Sequence, residues 1–303
     1  MEAEKFSYYG PANLETVFSG TFDIYRRHFG WLFFITFLAL LLSLPAVSHY
    51  SIGNMSALYD IENNDLSKLA EIYKNAGILV LVSLVIQTFI HLFVVNYVFH
   101  KESGSEAGLG TILAQTVGRF LLPGMIVMVI VIMAFTVGTV LGLLALIIGS
   151  LFALLFLATV FFPVLPVLVV ERTGIFRTIG RSFRLVMNDF WHTLGYILLF
   201  LLFYIMASMI LSTLTMIPYA GRFIREIFTA MSQPAPDSSG ILSFMTNPVY
   251  LGLNSLVSAL ITPLMPIFSL LIYFRLRYLD DEKQKRSQTT MEHPEDDTRD
   301  LLQ

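Results

Sequence analysis

The stretch Glu171-Arg172-Thr173-Gly174-Ile175-Phe176-Arg177-Thr178-Ile179-Gly180-Arg181-Ser182-Phe183-Arg184-Leu185-Val186-Met187-Asn188-Asp189-Phe190-Trp191 decides how this chain is read. A basic amphipathic segment runs directly into a long apolar one. Ile175, Ile179, Phe183, Val186 and Phe190 recur at a spacing that puts them on one helical face. Near the N-terminus, Leu14, Phe18, Phe22, Tyr25 and Phe29 repeat that spacing. An interfacial lead-in used more than once predicts a polytopic membrane protein built by repetition.

Composition agrees. Hydrophobic residues make up 55% of the 303 and charged residues 14%, with a mean hydropathy of +0.71. Soluble domains carry roughly 45–50% apolar and about 25% charged residues. The excess lies in long runs, which favours transmembrane helices over a β-barrel, whose segments alternate over about ten residues. The net charge of -3 gives no case for nucleic acid. The absence of cysteine removes disulfide and thiolate chemistry. No short basic n-region precedes the first apolar run, near Trp31, so that run is expected to be a retained helix rather than a cleaved signal.

Spanning takes about 20 apolar residues. Six segments qualify: 30–48, 77–99, 120–140, 144–170, 191–216 and 249–274. They predict an all-α membrane domain over residues 1–279. It consists of three hairpins at about 12–99, 105–170 and 172–276, each preceded by an amphipathic interfacial helix. The lead-ins are 12–29, 105–119 and 172–190; Leu109, Ile112, Leu113 and Val117 mark the middle one. Gly138 and Gly142 are the expected turn of the second hairpin. An even number of spans puts both termini on one side. Of the 19 lysines and arginines, fifteen fall on that side, against Lys68, Lys74, Arg222 and Arg225 on the other. The positive-inside rule then predicts N-in, C-in.

Between spans, a short helix is expected at Leu66–Lys74. A second, interfacial helix would use Phe223, Ile227 and Met231 against lipid and Arg222, Arg225 and Glu226 against water. A Pro/Ser-rich loop, Ser232 to Gly240, follows it. Residues 280–303 are polar and mixed in charge, and read as a disordered cytoplasmic tail.

Four sets of residues are candidate sites. Ser83, Gln87 and His91 form a polar stripe on the second span. It reads either as a hydrophilic path or as interhelical hydrogen bonding. The second reading is preferred, because no Asp or Glu lies in a span to partner His91. Pro163 and Pro166, with Pro263 and Pro266, kink the fourth and sixth spans. Their freed carbonyls either bind an ion or substrate or are healed by Thr159, Thr262 and neighbouring helices; healing is preferred. Asn254, Ser255, Ser258, Thr262 and Ser269 make the sixth span the most polar, read as a bundle-facing seam. Arg177, Arg181 and Arg184 form the polar face of the third lead-in. They are candidates for membrane-surface or anionic-lipid contact, or for topological anchoring.

No metal-binding His-Glu-x-x-His pair, nucleophile elbow or phosphate loop is present. The six histidines are scattered. No cofactor and no metal is expected.

Glu171, Gly174, Arg181-Ser182, Leu185 and Phe190-Trp191 resemble the membrane-domain family named after glycerophosphoryl diester phosphodiesterase, and related polytopic bacterial proteins. Tyr273-Phe274-Arg275-Leu276-Arg277 is similar to that family's ending of the last helix, with Arg275 where the family has aspartate. The resemblance covers about residues 10–280. It implies a six-helix bundle with repeated lead-ins. It implies no phosphodiesterase activity, which in that family belongs to a separate soluble domain. The function expected is therefore a non-enzymatic inner-membrane protein, a scaffold or the membrane partner of another protein or envelope system. A transporter or lipid-handling protein with a cavity between hairpins is the alternative, and a membrane-embedded enzyme a further one.

Overall fold

The computed structural model describes residues 6–59, 66–144, 146–221, 224–225, 228 and 247–292. The helices are α1 (Leu14–Tyr59), α2 (Leu66–Glu102), α3 (Leu109–Gln115), α4 (Leu122–Leu144), α5 (Leu146–Phe161), α6 (Val164–Glu171), α7 (Ile175–Met187), α8 (Phe190–Met216), α9 (Pro248–Ile261) and α10 (Leu264–Glu292). Among the described residues there is no strand. Six helical stretches are long and apolar enough to cross a membrane: Leu14–Tyr50, Leu69–Glu102, Leu109–Leu144, Ile147–Glu171, Phe190–Tyr219 and Pro248–Gln288. Large side chains such as Leu42, Val80, Met133, Ile148, Leu202 and Met209 are exposed along them. In a bilayer these side chains meet acyl chains, so the protein is a multi-pass membrane protein in contact with lipid.

Helix starts follow local chemistry. Asn13 caps α1, its Oδ1 accepting from the Thr16 amide at 2.8 Å. Gly108 and Gly174 enter α3 and α7 with nearly the same extended geometry, φ −69° and −68°. Thr21, Thr116 and Ser182 stand the same number of residues beyond these starts, and all three are fully buried. A π-turn over Thr116–Leu121 joins α3 to α4 and inserts one residue. Phe120, rather than Arg119, therefore takes the buried place that Ile24 holds in α1 and Leu185 in α7. The insertion explains why the middle lead-in matches the others only by residue type.

Several expectations need correction. The first lead-in is not a separate helix: it is the start of α1, and the second runs through the π-turn into α4. Only the third is set apart, by the turn at Asn188-Asp189. Leu66–Lys74 is not a separate helix either, but the beginning of α2. Gly138 and Gly142 lie inside α4, not at its turn. They let α5 approach: a Cβ on Gly142 would stand 2.5 Å from Ser150 Cα, and one on Gly138 2.5 Å from Leu157 Cδ1. The polar tail does not begin at Asp280, because α10 continues to Glu292. Residues 293–303 lie outside the described residues. So do Phe223, Ile227, Met231, Arg222 and Glu226 of the expected interfacial helix, and the Ser232 to Gly240 loop.

α1 packs along α2 and α4 along α5, while α8 packs on α9. Phe18, Phe162, Phe200 and Phe268 meet at the centre, where the Phe200 and Phe268 rings stack at 3.9 Å. With lipid as apolar as the core, such packing and interhelical hydrogen bonds, rather than water exclusion, hold the helices together.

Candidate functional site

The four prolines locate the first group of polar contacts. Phe162-Pro163 breaks the rod between α5 and α6, and Thr262-Pro263 breaks it between α9 and α10. Pro166 and Pro266 lie just inside α6 and α10. Around each break, carbonyls accept hydroxyl donors. Thr159 and Thr262 bond within their own helices, to Leu155 and Ser258. Ser182 of α7 donates to Val160 at 2.6 Å, and Tyr25 of α1 donates to Leu260 at 2.7 Å. Val160 and Leu260 occupy the same place, three residues ahead of Pro163 and Pro263. Ser269 of α10 donates to Phe162 at 2.7 Å. On α2, which has no proline, Asn96 Nδ2 donates to the Ile112 carbonyl and to Thr116 Oγ1. Each of these second helices is thus bonded to a lead-in: α2 to the middle one, α5 to α7, and α9 back to α1.

The second group lies where α6, α7, α8 and α10 meet. Arg181 does not face outward with its neighbours. Its Nε is 3.2 Å from Glu171 and its Nη1 2.6 Å from Asp280, with only 19% of the side chain exposed. Burial alone would weaken the guanidinium charge, but the hydrogen bond to Asp280 and the charge of Glu171 outweigh it and hold the pKa above its ordinary value. Asn188 Nδ2 also donates to Asp280, and Tyr273 Oη to Glu171. Arg275 Nη2 stands 2.6 Å from Asp189, its Nε donates to the Ala12 carbonyl, and its guanidinium lies 4.7 Å over the Tyr196 ring. A third pairing seals α1 to the end of α2: Glu102 accepts from Arg27, His28 and Ser7. Beside Arg275, a cleft of about 500 Å³ is lined by Asn13, Asp189, His192, Tyr196 and Lys283, among others.

Arg177 and Arg184 remain exposed, so only these two of the three candidate arginines present charge at the surface. Of the predicted apolar stripe, Val186 is buried and Ile175, Ile179 and Phe190 pack half-buried against the core, while Phe183 is exposed. Thr178, Ser182, Leu185 and Val186 are buried, whereas Phe176 and Phe183 are exposed. The helix therefore has three faces: one buried in the bundle, one aromatic and exposed, and one cationic and exposed.

The α2 stripe divides. Ser83 and Gln87 are exposed, while His91 is partly buried. His91 Nε2 is sealed from the surface and has no hydrogen-bond partner. Other atoms of the His91 side chain border a cavity of about 220 Å³ among α2, α4, α5, α6, α8 and α10. Ser258, Thr262 and Ser269 of the sixth span bond to backbone or receive such bonds, and Ser255 is buried.

Sequence reasoning did not single out Asn96, Glu102, Glu171, Asp189, Arg275 or Asp280 as site residues. The available signal was their position: each is polar or charged at the margin of an apolar run, where an unpaired charge is costly. Among the described residues, no three His, Asp or Glu side chains gather as a metal site requires. Comparison of the chain with family profiles, curated proteins and solved structures gave no match.

Proposed function

We propose that this chain is a non-enzymatic integral membrane scaffold, the membrane partner of another protein or envelope system, in a bacterial inner membrane. The observation that carries this reading is where the polar groups of the spans go. Asn96, Ser182, Ser269 and Tyr25 are used to close one helix onto the next. A transport path needs polar groups left facing a common lumen, and an aromatic cluster around Phe268 fills the centre.

In this reading the six spans are three hairpins repeated around a pseudo-three-fold axis, with both termini in the cytoplasm. The cyclic order of contacts from second helix to next lead-in supports it. So does the resemblance to the glycerophosphoryl diester phosphodiesterase membrane-domain family, from which no catalytic residue carries over. The contact surface is the exposed side of α7, where Arg177 and Arg184 flank Phe176. Anionic headgroups are the natural neighbours of these arginines, at about 1 kcal/mol per charge near the surface.

Recovery of the chain from native membranes under mild extraction tests this. A stoichiometric protein partner, lost in the Arg177→Glu, Arg184→Glu variant, is the expected result. Recovery of the chain alone, with or without prior crosslinking, would overturn the reading.

A second reading, a lipid-handling protein, is favoured by one observation, the cavity at His91.

A further inference from the structure

We infer that the cleft between the start of α8 and the last helix, α10, is a binding site for the phosphate of a membrane phospholipid, held between Lys283 and His192 with its acyl chains running down α8. This goes beyond the scaffold role, needs no protein partner and uses none of the exposed arginines of α7.

Three segments wall a space of about 500 Å³. Residues 10–13, before α1, form one wall. Asp189, His192 and Tyr196 at the start of α8 form the second, and Arg275, Tyr278 and Lys283 of α10 the third. Local bonds set the charges in place. Arg275 Nη2 meets Asp189 at 2.6 Å, and the other Asp189 oxygen stands 2.6 Å from His192 Nδ1. An ionised carboxylate can only accept, so Nδ1 carries a proton. Nε2 of this exposed imidazole has no partner among the described residues. It can accept from a protonated phosphate oxygen or, when the ring is charged, donate to an ionised one. Lys283 Nζ donates to the carbonyl of Asn188, the neighbour of Asp189, at 3.1 Å and pairs with no carboxylate among the described residues. Arg275 cancels Asp189, so the charge of Lys283 is left over. The carboxylates that follow Leu279 on α10 are held elsewhere: Asp280 by Arg181 and Asn188, Asp281 by Tyr9, and Glu282 by Arg286. Asn13 caps α1 and Asp189 precedes α8, so the positive ends of two long helices open on the same space and add to the preference for an anion.

Depth selects a lipid over free phosphate. Trp191 is exposed beside His192, and Tyr196 and Tyr278 line the cleft. Such rings mark the headgroup level of a bilayer. Below them the surface of α8 is apolar. Gly195 is exposed, and a Cβ there would meet nothing within 4 Å, which leaves a furrow beneath His192. Leu199, two turns beyond His192 on the same side, and Leu202 are exposed. An acyl chain fits this track, whereas inorganic phosphate gains nothing from it.

The first repeat supplies the contrast. Counted from Leu14 and Ile175, Trp31 and His192 hold the same place. A cleft of about 590 Å³ lies at Trp31 too, with Arg27, His28, Phe34 and Tyr97 among its lining. Its cation is already used: Arg27 Nη1 is 3.2 Å from Glu102, and Nη2 donates to Tyr8. Of the two clefts, the one at His192 keeps an unneutralised cation above an apolar track.

Native mass spectrometry of the full chain released from detergent micelles tests the site. Phosphatidylglycerol is titrated in parallel with diacylglycerol of the same chains and with inorganic phosphate. Phosphatidylglycerol should bind saturably, and diacylglycerol should not. Lys283→Gln should weaken binding of the first lipid about fivefold, the effect of one charge near the membrane surface, and His192→Leu should weaken it as well. Arg119→Gln, which removes an exposed charge on the π-turn, should leave it unchanged. Gly195→Trp, which fills the furrow, should abolish the tight site. Excess inorganic phosphate should fail to displace the lipid. Equal binding of diacylglycerol, no greater loss in Lys283→Gln than in Arg119→Gln, or displacement by inorganic phosphate would each overturn the assignment. Lys283, His192 and Gly195 are all exposed, so these variants leave the packed core intact.

Discussion

Ser269 Oγ donates a 2.7 Å hydrogen bond to the carbonyl of Phe162. The residue that would normally supply this carbonyl's donor, four positions on, is Pro166, which has no N–H. The deficit in one kinked helix is therefore met by the helix that carries the other kink.

Removing that donor should be costly only while the proline is present. Ser269→Ala leaves a buried carbonyl without a partner and should cost about 1–3 kcal/mol. With Pro166→Ala, a backbone N–H becomes available to Phe162, and Ser269→Ala should then cost less by about 1 kcal/mol. A double-mutant cycle on unfolding in fixed detergent measures the coupling. Additive losses would mean that the two residues do not serve the same carbonyl.

Arg181 and Arg184 should behave oppositely. Arg181→Ala leaves Glu171 and Asp280 partly buried without their cation, a loss of about 3 kcal/mol for pairs of this kind. Arg184 is exposed, and its replacement by Ala should stay within about 0.5 kcal/mol. Flotation with anionic liposomes bearing the matching soluble peptide, residues 172–191, should reverse the order of importance, with Arg177 and Arg184 dominating. Equal stability losses in the two full-length variants would remove Arg181 from the internal network.

Two glycines on one helix should differ. A Cβ on Gly142 meets backbone, Ser150 Cα at 2.5 Å, so Gly142→Ala must push α4 from α5. A Cβ on Gly138 meets the end of the Leu157 side chain, which can turn aside. Gly142→Ala should cost about 1–3 kcal/mol, in the range of overpacked cores, and Gly138→Ala clearly less. Apparent melting temperatures followed by size-exclusion chromatography would rank them. The reverse ranking would refute the close approach.

Because the chain has no cysteine, topology can be read from single cysteines without background. Lys74→Cys should react with a membrane-impermeant maleimide on intact spheroplasts, and Arg184→Cys only after permeabilisation. The opposite pattern would invert the proposed orientation.

The six apolar runs were legible because a bilayer demands about 20 consecutive apolar residues and tolerates few exceptions. The register between the first and third lead-ins was legible too, since Val17 and Thr178 sit on buried faces at matching places, whereas the middle copy, where Ile112 holds that place, was not aligned. What escaped was pairing at long range. Asp280 looked like the start of a polar tail because it opens a run of polar and charged residues; its partner Arg181 is 99 residues away. Arg181 looked like a surface cation for the same reason. Gly138 and Gly142 suggested a turn because glycine permits both a turn and a close helix contact, and local pattern does not separate the two. Of the stripe on α2, spacing gave the common face, but not that His91 alone would border a cavity.

The bonds from α1 and the residues just before it to the sixth span carry a consequence for biosynthesis. Tyr25 reaches Leu260 across 235 residues, and Ala12 receives Arg275 across 263. Contacts so distant in sequence form late, and a chain made from its N-terminus meets them only once the sixth span has been made. Helix α1 therefore waits in the membrane with its Tyr25 phenol unsatisfied until the sixth span arrives, and a nascent chain stalled before Leu260 exposes that vacancy to whatever surveys the bilayer for unfinished proteins.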